Sequence, residues 1–494
     1  MSNDSFPQLR NNSSKTALVE GDKSYTYAEV NERIDRFATG LLADRQDLQE
    51  ERIAFFLPAS LDYVTTMHGV WRAGGIAVPL NVASAVAELD HYLSCASVTR
   101  LVTSPEYLES LQALCKDLNV QLLTVDDVIA SETGALPEIS DDRRAMMLFT
   151  SGTTNKPKGV VSTHKTIRAQ ITTLLEAWAW SEDDVIPLFL PLHHIHGIIN
   201  ILSCGLWAGA TVHLFAKFDI PKITDEVIAG TYNVFMAVPT IYVKLIQYFE
   251  GIDAERVIRI CNGFRAMRLN ISGSAACPVK LFNQWQELTG QVLLERYGMT
   301  EIGMGISNPY DGERRAGYVG QPLPGVDCQL FNEDHEPVTE EGSPGEIRIK
   351  GDNVFLEYWD NEKATTESFR DGWFCTGDVA VVEDGYYRIM GRSSVDIIKS
   401  GGYKLSALEI EGVLLTHEAI AEVAVIGVED ETWGEAVVAV IGLRDDASLD
   451  YESLKQWCDG KMSAYKIPKA IKIVDALPRN AMGKVTKPAL KKLL

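Results

Sequence analysis

The chain has 494 residues, 46% of them hydrophobic, and this length exceeds what a single hydrophobic core usually organises. A formal net charge of −22 at pH 7 argues against a nucleic-acid-binding surface and against binding to an anionic membrane. We therefore predict a globular protein of at least two domains, in which any phosphate-binding site is a local cationic pocket.

Cysteine usage and apolar stretches indicate the compartment. The eight cysteines are scattered without a C-x-x-C pair, which is typical of free or buried thiols in a reducing environment. Residues 1–7 lack the basic and apolar segments of a secretory signal. The most apolar stretch, residues 185–216, contains prolines and histidines that would be costly in lipid, so it is predicted to be core. We predict a cytoplasmic protein with no membrane partner.

The order of predicted elements indicates the fold class. Short β-rich runs at residues 51–57, 75–80 and 233–238 alternate with stretches of helical length, which predicts layered α/β subdomains with parallel strands. Turn-rich sequence follows residue 310, and Asp384-Gly385 is typical of a hairpin turn, which predicts a small β-rich subdomain.

The pattern restarts after Arg392. A helix at residues 408–415, strands at 423–426 and 436–443, and a helix from Tyr451 predict a compact α+β unit. We therefore predict an N-terminal domain of residues 1–391 and a C-terminal domain of residues 392–494.

Residues 150–159 are rich in glycine, hydroxyl groups and lysine: Thr150-Ser151-Gly152-Thr153-Thr154-Asn155-Lys156-Pro157-Lys158-Gly159. It follows an apolar run that predicts a strand, so its backbone N–H groups would be free to meet phosphate oxygens. It does not have the residue order of a P-loop. Taken alone, the segment fits either a polyphosphate-binding loop or an ordinary surface turn.

Four further motifs follow in order: Tyr297-Gly298-Met299-Thr300-Glu301, Thr376-Gly377-Asp378, Gly391-Arg392, and Pro478-Arg479-Asn480-Ala481-Met482-Gly483-Lys484. With the first loop, this series resembles the acyl-adenylate-forming superfamily, which includes acyl-CoA synthetases, adenylation domains and luciferases. The resemblance implies an enzyme that activates a carboxylate with ATP and then transfers the acyl group to a thiol. Lysines, Mg²⁺ and backbone donors suit that chemistry, because two anions must meet.

The resemblance implies a role for each matching residue. Residues expected to bind ATP or AMP are Thr150, Ser151, Gly152, Thr153, Thr154, Lys158, Ser274, Ala275, Tyr297, Asp378 and Arg392. Thr300 would face the α-phosphate, Glu301 would hold Mg²⁺, and Lys484 would bridge the carboxylate and the α-phosphate during adenylation. Taken alone, Glu301 and Lys484 would be ordinary solvated charges.

The thiol-transfer step is expected to use the C-terminal domain. In this superfamily the domain rotates after adenylation, and here it would present Gly401, Gly402 and Tyr403 along a tunnel for the pantetheine of CoA; glycines leave such a passage open. The segment after Arg392 is one residue longer than in many relatives. The pivot is therefore Ser393, Ser394 or Asp396.

The identity of the acid depends on whether a cation is present for a second carboxylate. Arg268 precedes a predicted strand that leads to the adenine-side residues, and a guanidinium can clamp a carboxylate bidentately, although a surface ion pair fits Arg268 equally well. Residues 234–240, 293–304 and 396–409 resemble malonyl-CoA synthetases. This resemblance implies malonate as substrate, methylmalonate as a secondary one, and Arg268 as the malonate anchor.

Other acyl-pocket residues are expected from the same resemblance. His196 would line the pocket, and Met299 and Met304 would limit room for a 2-methyl group. Zinc ligation by His193, His194 and His196 is the competing reading, without a fourth ligand at motif spacing. The rival functions are a short-chain monocarboxylate CoA ligase, a non-catalytic nucleotide-binding scaffold, and an adenylation module that loads a carrier protein in trans.

Overall fold

The computed structural model describes residues 6–11, 13–150, 157–400, 403–430, 432–479 and 485–492. Its α-helices span Pro7–Arg10, Tyr27–Leu42, Leu61–Arg72, Val86–Cys95, Leu108–Asp117, Val125–Val128, His164–Ala177, Cys204–Ala208, Ile220–Ala229, Pro239–Glu250, Ala254–Ala266, Val279–Thr289, Glu362–Glu367, Ala407–Leu414, Tyr451–Cys458 and Lys487–Leu490. A 3₁₀ turn at Pro105–Tyr107 and a π-helix at His196–Ser203 complete the helical part.

The largest sheet has seven strands. In spatial order they are Glu357–Tyr358, Lys158–Thr163, Arg144–Thr150, Ile76–Pro79, Arg52–Phe56, Arg100–Thr103 and Gln121–Thr124. The last five run parallel, and the first two are antiparallel additions at one edge. The parallel strands are apolar at consecutive positions because helices cover both faces.

A second sheet of four strands contains the apolar stretch of residues 185–216. Its strands, in spatial order, are Lys23–Thr26, Thr16–Glu20, Thr211–Leu214 and Val185–Leu188. The π-helix and the helix Cys204–Ala208 between the last two strands are almost entirely buried, so the stretch is core, as predicted. Among the described residues, no helix is long and apolar enough to span a membrane.

The third sheet carries several candidate site residues. Its strands, in spatial order, are Val234–Ala237, Leu269–Ser272, Leu294–Met299, Gly303–Ser307 and Gln321–Pro322. The first three run parallel, so their carboxyl ends meet at one edge, where ligands bind in open α/β sheets. The residues that follow Ser272 and Met299 are therefore neighbours.

The β-rich subdomain is an antiparallel sheet, as expected. Its strands are Asp327–Phe331, Gly345–Lys350, Trp373–Glu383, Phe369–Arg370 and Tyr386–Arg392. Asp384 and Gly385 connect two of these strands and both have positive φ, at 51° and 79°, which confirms the predicted two-residue hairpin turn.

The C-terminal part has its own sheet and its own buried residues. Its strands are Tyr403–Ser406, Ile397–Ser400, Gly434–Leu443, Ile420–Asp430 and Ala470–Val474. Alternate residues of the strand Ile420–Asp430 contribute to two hydrophobic clusters, with Val423 and Val425 in one and Ala424 and Ile426 in the other. The predicted helices and strands of this part are confirmed, with ends shifted by a few residues.

Candidate active site

The phosphate side of the site lies where two strands of the seven-stranded sheet meet. Thr150 ends one strand and pairs with Lys158, which begins the next. The predicted contacts Ser151, Gly152, Thr153 and Thr154 lie outside the described residues. The ammonium of Lys158 lies 4.8 Å from the ring centroid of Tyr358, a residue of the adjacent edge strand.

Glu301 is buried beneath this point. It follows the strand Leu294–Met299 after the half-buried Thr300, and its Oε1 accepts a hydrogen bond from the hydroxyl of Tyr358 at 2.9 Å. Burial raises the pKa of the carboxyl, and the hydrogen bond from Tyr358 acts in the opposite direction by stabilising the ionised form. Lys158, Tyr358 and Glu301 thus form a contiguous chain of side chains.

Three of the predicted nucleotide residues form a second group. Asp378 and Arg392 face each other across the two long strands of the β-rich sheet, with Arg392 Nε 3.5 Å from Asp378 Oδ1. The hydroxyl of Tyr297 donates to Asp378 Oδ2 at 2.6 Å. Burial, followed by the negative charge of Asp378, raises the pKa of Tyr297, so this phenol is a hydrogen-bond donor. A carboxylate, with two oxygens, is able to accept hydrogen bonds from two ribose hydroxyls.

His196 and Ser274 meet on the acyl side. Ser274 has a left-handed φ of 68°, and its hydroxyl lies 3.0 Å from His196 Nδ1. His196 is buried at the start of the π-helix, and burial, reinforced by the positive charge of Arg296, places its pKa far below the ordinary value. Its imidazole is therefore neutral, and its Nε2 has no hydrogen-bond partner within the described part of the chain. Ala275, beside Ser274, is exposed.

Arg268, the malonate anchor that the resemblance implies, is paired with a carboxylate of the protein itself. Its guanidinium forms a bidentate ion pair with Asp184, with both N–O distances at 2.6 Å, and also donates to the carbonyl oxygen of Trp178. Asp184 is fully buried and requires this partner. Arg268 also lies at the amino end of the strand Leu269–Ser272, roughly 13 Å of extended chain from the edge that carries Ser274.

A different arginine, which the sequence reasoning missed, lies at the correct edge. Arg296 is 4% exposed, and its Nε and Nη2 have no hydrogen-bond partner among the described residues. Burial lowers its pKa to about 9. A Cβ atom at Gly273 would lie 2.5 Å from its Cζ, so the guanidinium rests directly against the backbone that precedes Ser274.

One signal in the sequence could have found Arg296. Residues 293–297 predict a buried strand, and a charge in such a strand is costly unless something pairs with it. Arg296 therefore needed a partner, and no nearby acidic residue on the same face of the strand supplies one.

The two methionines lie along the hairpin after Arg296. Met299 is opposite Gly303, and the buried Met304 is opposite Gly298. A Cβ atom at Gly298 would lie 2.5 Å from Met304 Cε, so this side chain packs closely on the backbone of the predicted motif.

The histidine cluster gives no support to a zinc site. His193 and His194 pack ring to ring at 4.1 Å, and burial lowers the pKa of His193 to about 3. Within the described ranges there is no group of three or more His, Cys, Asp or Glu residues arranged to hold a metal ion.

The chemistry of Glu301 fits magnesium. Mg²⁺ prefers oxygen ligands and is commonly held by one or two carboxylates together with the phosphates of a nucleotide. Oε1 of Glu301 accepts the hydrogen bond from Tyr358, and a carboxylate has several acceptor positions, so the same group can also ligate a cation.

The C-terminal candidates are only partly described. Lys484, Gly401 and Gly402 lie outside the described residues. Tyr403 is 55% exposed and stacks on Tyr465 with ring centroids 4.5 Å apart.

Comparison with known proteins places this geometry in a family. A family model described as AMP-binding enzyme matches residues 6–359, and the corresponding C-terminal domain model matches residues 409–484. The chain belongs to the AMP-binding enzyme family. The predicted membership of the acyl-adenylate-forming superfamily is thereby confirmed, and the chain is an AMP-forming acyl-CoA ligase by family.

Individual relatives cover nearly the whole chain. The mitochondrial malonate–CoA ligase of Bos taurus is 40% identical over 96% of this chain and 87% of its own length. The malonate–CoA ligase of Arabidopsis thaliana is 38% identical over 99% of this chain and 88% of its own. ATP-bound MatB from Rhodopseudomonas palustris superposes with a TM-score of 0.90 at 33% identity, covering 100% of this chain and 99% of that one.

Proposed function

We propose that the protein is a malonyl-CoA synthetase, which converts ATP, malonate and CoA to malonyl-CoA, AMP and diphosphate through malonyl-adenylate. The observation that carries the proposal is the buried guanidinium of Arg296 beside His196 and Ser274. A buried cation without a protein partner is costly, and the distal carboxylate of malonate would remove that cost. Similarity to malonate–CoA ligases over almost the full chain supports the same substrate.

In the first half-reaction a carboxylate oxygen of malonate attacks the α-phosphorus of ATP, and diphosphate leaves. Lys158 and the loop before it would hold the β- and γ-phosphates, and Thr300 and Lys484 would contact the α-phosphate. The ribose and adenine of the nucleotide would be held by five residues: Tyr297, Asp378, Arg392, Ser274 and Ala275. Mg²⁺ on Glu301 would supply charge neutralisation among the phosphates.

In the second half-reaction the sulfur of CoA attacks the acyl carbon, AMP leaves, and the thiol proton is released. Throughout both steps, Arg296 would hold the distal carboxylate and so fix which end of the diacid reacts. The neutral His196 would line the acyl pocket without adding a second charge. Met299 and Met304 would bound the pocket, with methylmalonate as a secondary substrate.

We further propose that the chain divides at residue 392 and that the C-terminal domain rotates between the half-reactions. The buried residues support this division, because the hydrophobic clusters of the N-terminal part end at Tyr387 and those of the C-terminal part begin at Ile398. A malonyl-CoA ligase in complex with methylmalonyl-CoA and AMP superposes with a TM-score of only 0.69, although it is 34% identical in sequence. That value fits a different arrangement of similar domains.

Within the connecting segment we propose Ser394 as the pivot. The N–H of Ser393 donates a hydrogen bond to the carbonyl oxygen of Gly377, in the β-rich sheet, at 2.9 Å. Asp396 is held on its other side, because its Oδ1 lies 2.6 Å from Lys487 Nζ. Ser394 lies exposed between these two attachments. The presentation of Gly401, Gly402 and Tyr403 to CoA would follow from rotation about this point.

The cytoplasmic location stays a prediction. All eight cysteines are free thiols, as expected for a reducing environment, while the animal relatives are named as mitochondrial. The predicted absence of nucleic-acid and membrane partners also stays a prediction.

The function is tested by diphosphate release with ATP and Mg²⁺ across malonate, methylmalonate, succinate, acetate, butyrate and benzoate, each with and without CoA. We expect CoA-dependent turnover concentrated on malonate. Preference for butyrate would make the protein a monocarboxylate ligase, and no turnover with any acid would leave a nucleotide-binding scaffold.

A further inference from the structure

Tyr358 joins two groups that belong to different motifs. Its hydroxyl donates to Glu301 Oε1 at 2.9 Å, and the ammonium of Lys158 lies 4.8 Å from the centroid of its ring. Within the described part of the chain, neither Lys158 nor Glu301 forms an ion pair, and Tyr358 contacts both.

The backbone fixes Tyr358 in this position. Its edge strand pairs with the strand that begins at Lys158, with Tyr358 opposite Val160. Alternate residues of a strand share a face, so Lys158 lies on the same face as Val160 and one diagonal step from Tyr358. On the other side, the N–H of Phe355 donates to the carbonyl oxygen of Glu301 at 2.7 Å. The same short segment is therefore attached to both partners.

Burial of Tyr358 restricts which groups its hydroxyl and its ring can contact. Tyr358 is 8% exposed, and the ring of Phe355 packs against it at 4.8 Å. A buried phenol hydroxyl needs an acceptor, and Glu301 supplies it. The aromatic face meanwhile offers Lys158 a weak attraction that orients the ammonium without neutralising it.

We propose that Tyr358 is a positioning residue that sets Glu301 and Lys158 at the spacing required to bind the magnesium complex of ATP. The inference rests on the proposed function, which assigns the phosphates to Lys158 and the cation to Glu301. The hydroxyl acts on the cation side through Glu301, and the ring acts on the phosphate side through Lys158. The two contributions are therefore separable by substitution.

The test is ATP binding by isothermal titration calorimetry, in the presence of Mg²⁺ and in EDTA. Tyr358→Phe removes the hydroxyl and keeps the ring, so we expect about tenfold weaker binding with Mg²⁺ and unchanged binding in EDTA. Tyr358→Leu also removes the ring, so we expect an additional loss of about threefold or more that persists in EDTA. The matched control is Tyr27→Phe, a buried tyrosine whose hydroxyl donates to the carbonyl oxygen of Ala210 at 2.7 Å, far from the site.

A double-mutant cycle distinguishes the loss of the Tyr358–Glu301 hydrogen bond from a general folding defect. In a Glu301→Ala background the acceptor is absent, so Tyr358→Phe should weaken Mg²⁺-dependent binding no further. Equal Mg²⁺-dependent affinity in Tyr358→Phe and the unsubstituted protein, or an additive loss in the double variant, would overturn the inference. Failure of the proposed function is distinguishable, because it would show as ATP binding by the unsubstituted protein without malonate-dependent diphosphate release.

Discussion

At the scale of single residues, the account depends on which arginine meets the substrate. Arg268 precedes one strand of the sheet and Arg296 lies within the next, but Arg268 is paired with the buried Asp184. Nε and Nη2 of Arg296 have no hydrogen-bond partner among the residues that the structure describes. The sequence could not separate the two, because Asp184 precedes Arg268 by 84 positions and no local pattern links them. A bidentate pair with a distant carboxylate is visible only once the fold is known.

Arg268 is predicted to serve stability. Arg268→Ala would leave the fully buried carboxylate of Asp184 without a cation, at a cost of about 3 kcal/mol in the free energy of unfolding. Urea denaturation measures this cost, with Arg268→Lys as the control that keeps a positive charge. The KM for malonate of the folded variant should be unchanged, and a large rise in that KM would restore Arg268 as the anchor.

Gly273 is predicted to be required for the position of Arg296. In Gly273→Ala the new Cβ would lie 2.5–2.6 Å from guanidinium atoms, so the arginine must move. We expect the KM for malonate to rise about tenfold, with the KM for ATP nearly unchanged, in steady-state kinetics. Gly412→Ala is the matched control, because a Cβ there meets no atom within 4 Å. Equal malonate KM values in both variants would contradict the proposed packing.

At the scale of elements, the strand Leu294–Met299 sends an acidic and a basic side chain to its two faces. Glu295 and Arg296 are consecutive and both buried, so the alternation of a strand sends one side chain to each face. The sequence predicted the strand Leu269–Ser272, the hairpin at Asp384-Gly385 and the C-terminal elements, because their periodicity and turn residues are local. It did not predict the role proposed for Arg296, because that role depends on which groups pack against each face of the strand Leu294–Met299.

Glu295 provides a pH test at this scale. Burial raises its pKa to about 8, above the ordinary value of 4.5, so between these values the folded protein binds more protons than the unfolded chain. Stability from this group is complete below about pH 4.5 and is lost as pH rises through 8. Glu295→Gln removes the titrating group, so this loss should be absent from the variant. From pH 5 to pH 8, the free energy of unfolding of the variant should therefore rise by about 3 kcal/mol relative to that of the unsubstituted protein. Parallel urea-derived stability curves would contradict the assignment.

At the scale of the whole molecule, the order of the motifs was sufficient to predict the two-domain plan and the family. Ser274 and Thr300 are neighbours because they follow parallel strands of one sheet. Side-chain contacts link this edge to the other two sheets: Tyr297 donates to Asp378 of the β-rich sheet. Glu301 contacts Tyr358, whose ring lies beside Lys158 of the seven-stranded sheet. The exact pivot could not be predicted, since it depends on contacts such as those of Asp396 with residues far along the chain.

Lys487 is predicted to couple the C-terminal segment to the hinge. Its buried ammonium lies 2.6 Å from Asp396 Oδ1 and 2.7 Å from Glu411 Oε1, three positions after Lys484. Lys487→Met would leave two partly buried carboxylates without their shared cation, so we expect a lower melting temperature of the C-terminal domain and slower adenylation. Lys491→Met, at an exposed site on the same segment, is the control. Unaltered melting and adenylation would remove this role.

The central claim, that the buried Arg296 selects a dicarboxylate, is tested most directly by the ratio of kcat/KM for malonate to kcat/KM for butyrate in Arg296→Ala. The account predicts a fall in malonate activity of about 100-fold or more, because the distal carboxylate loses a desolvated charge partner, with butyrate activity retained or increased. An unchanged ratio would show that another group anchors the second carboxylate and would contradict the claim.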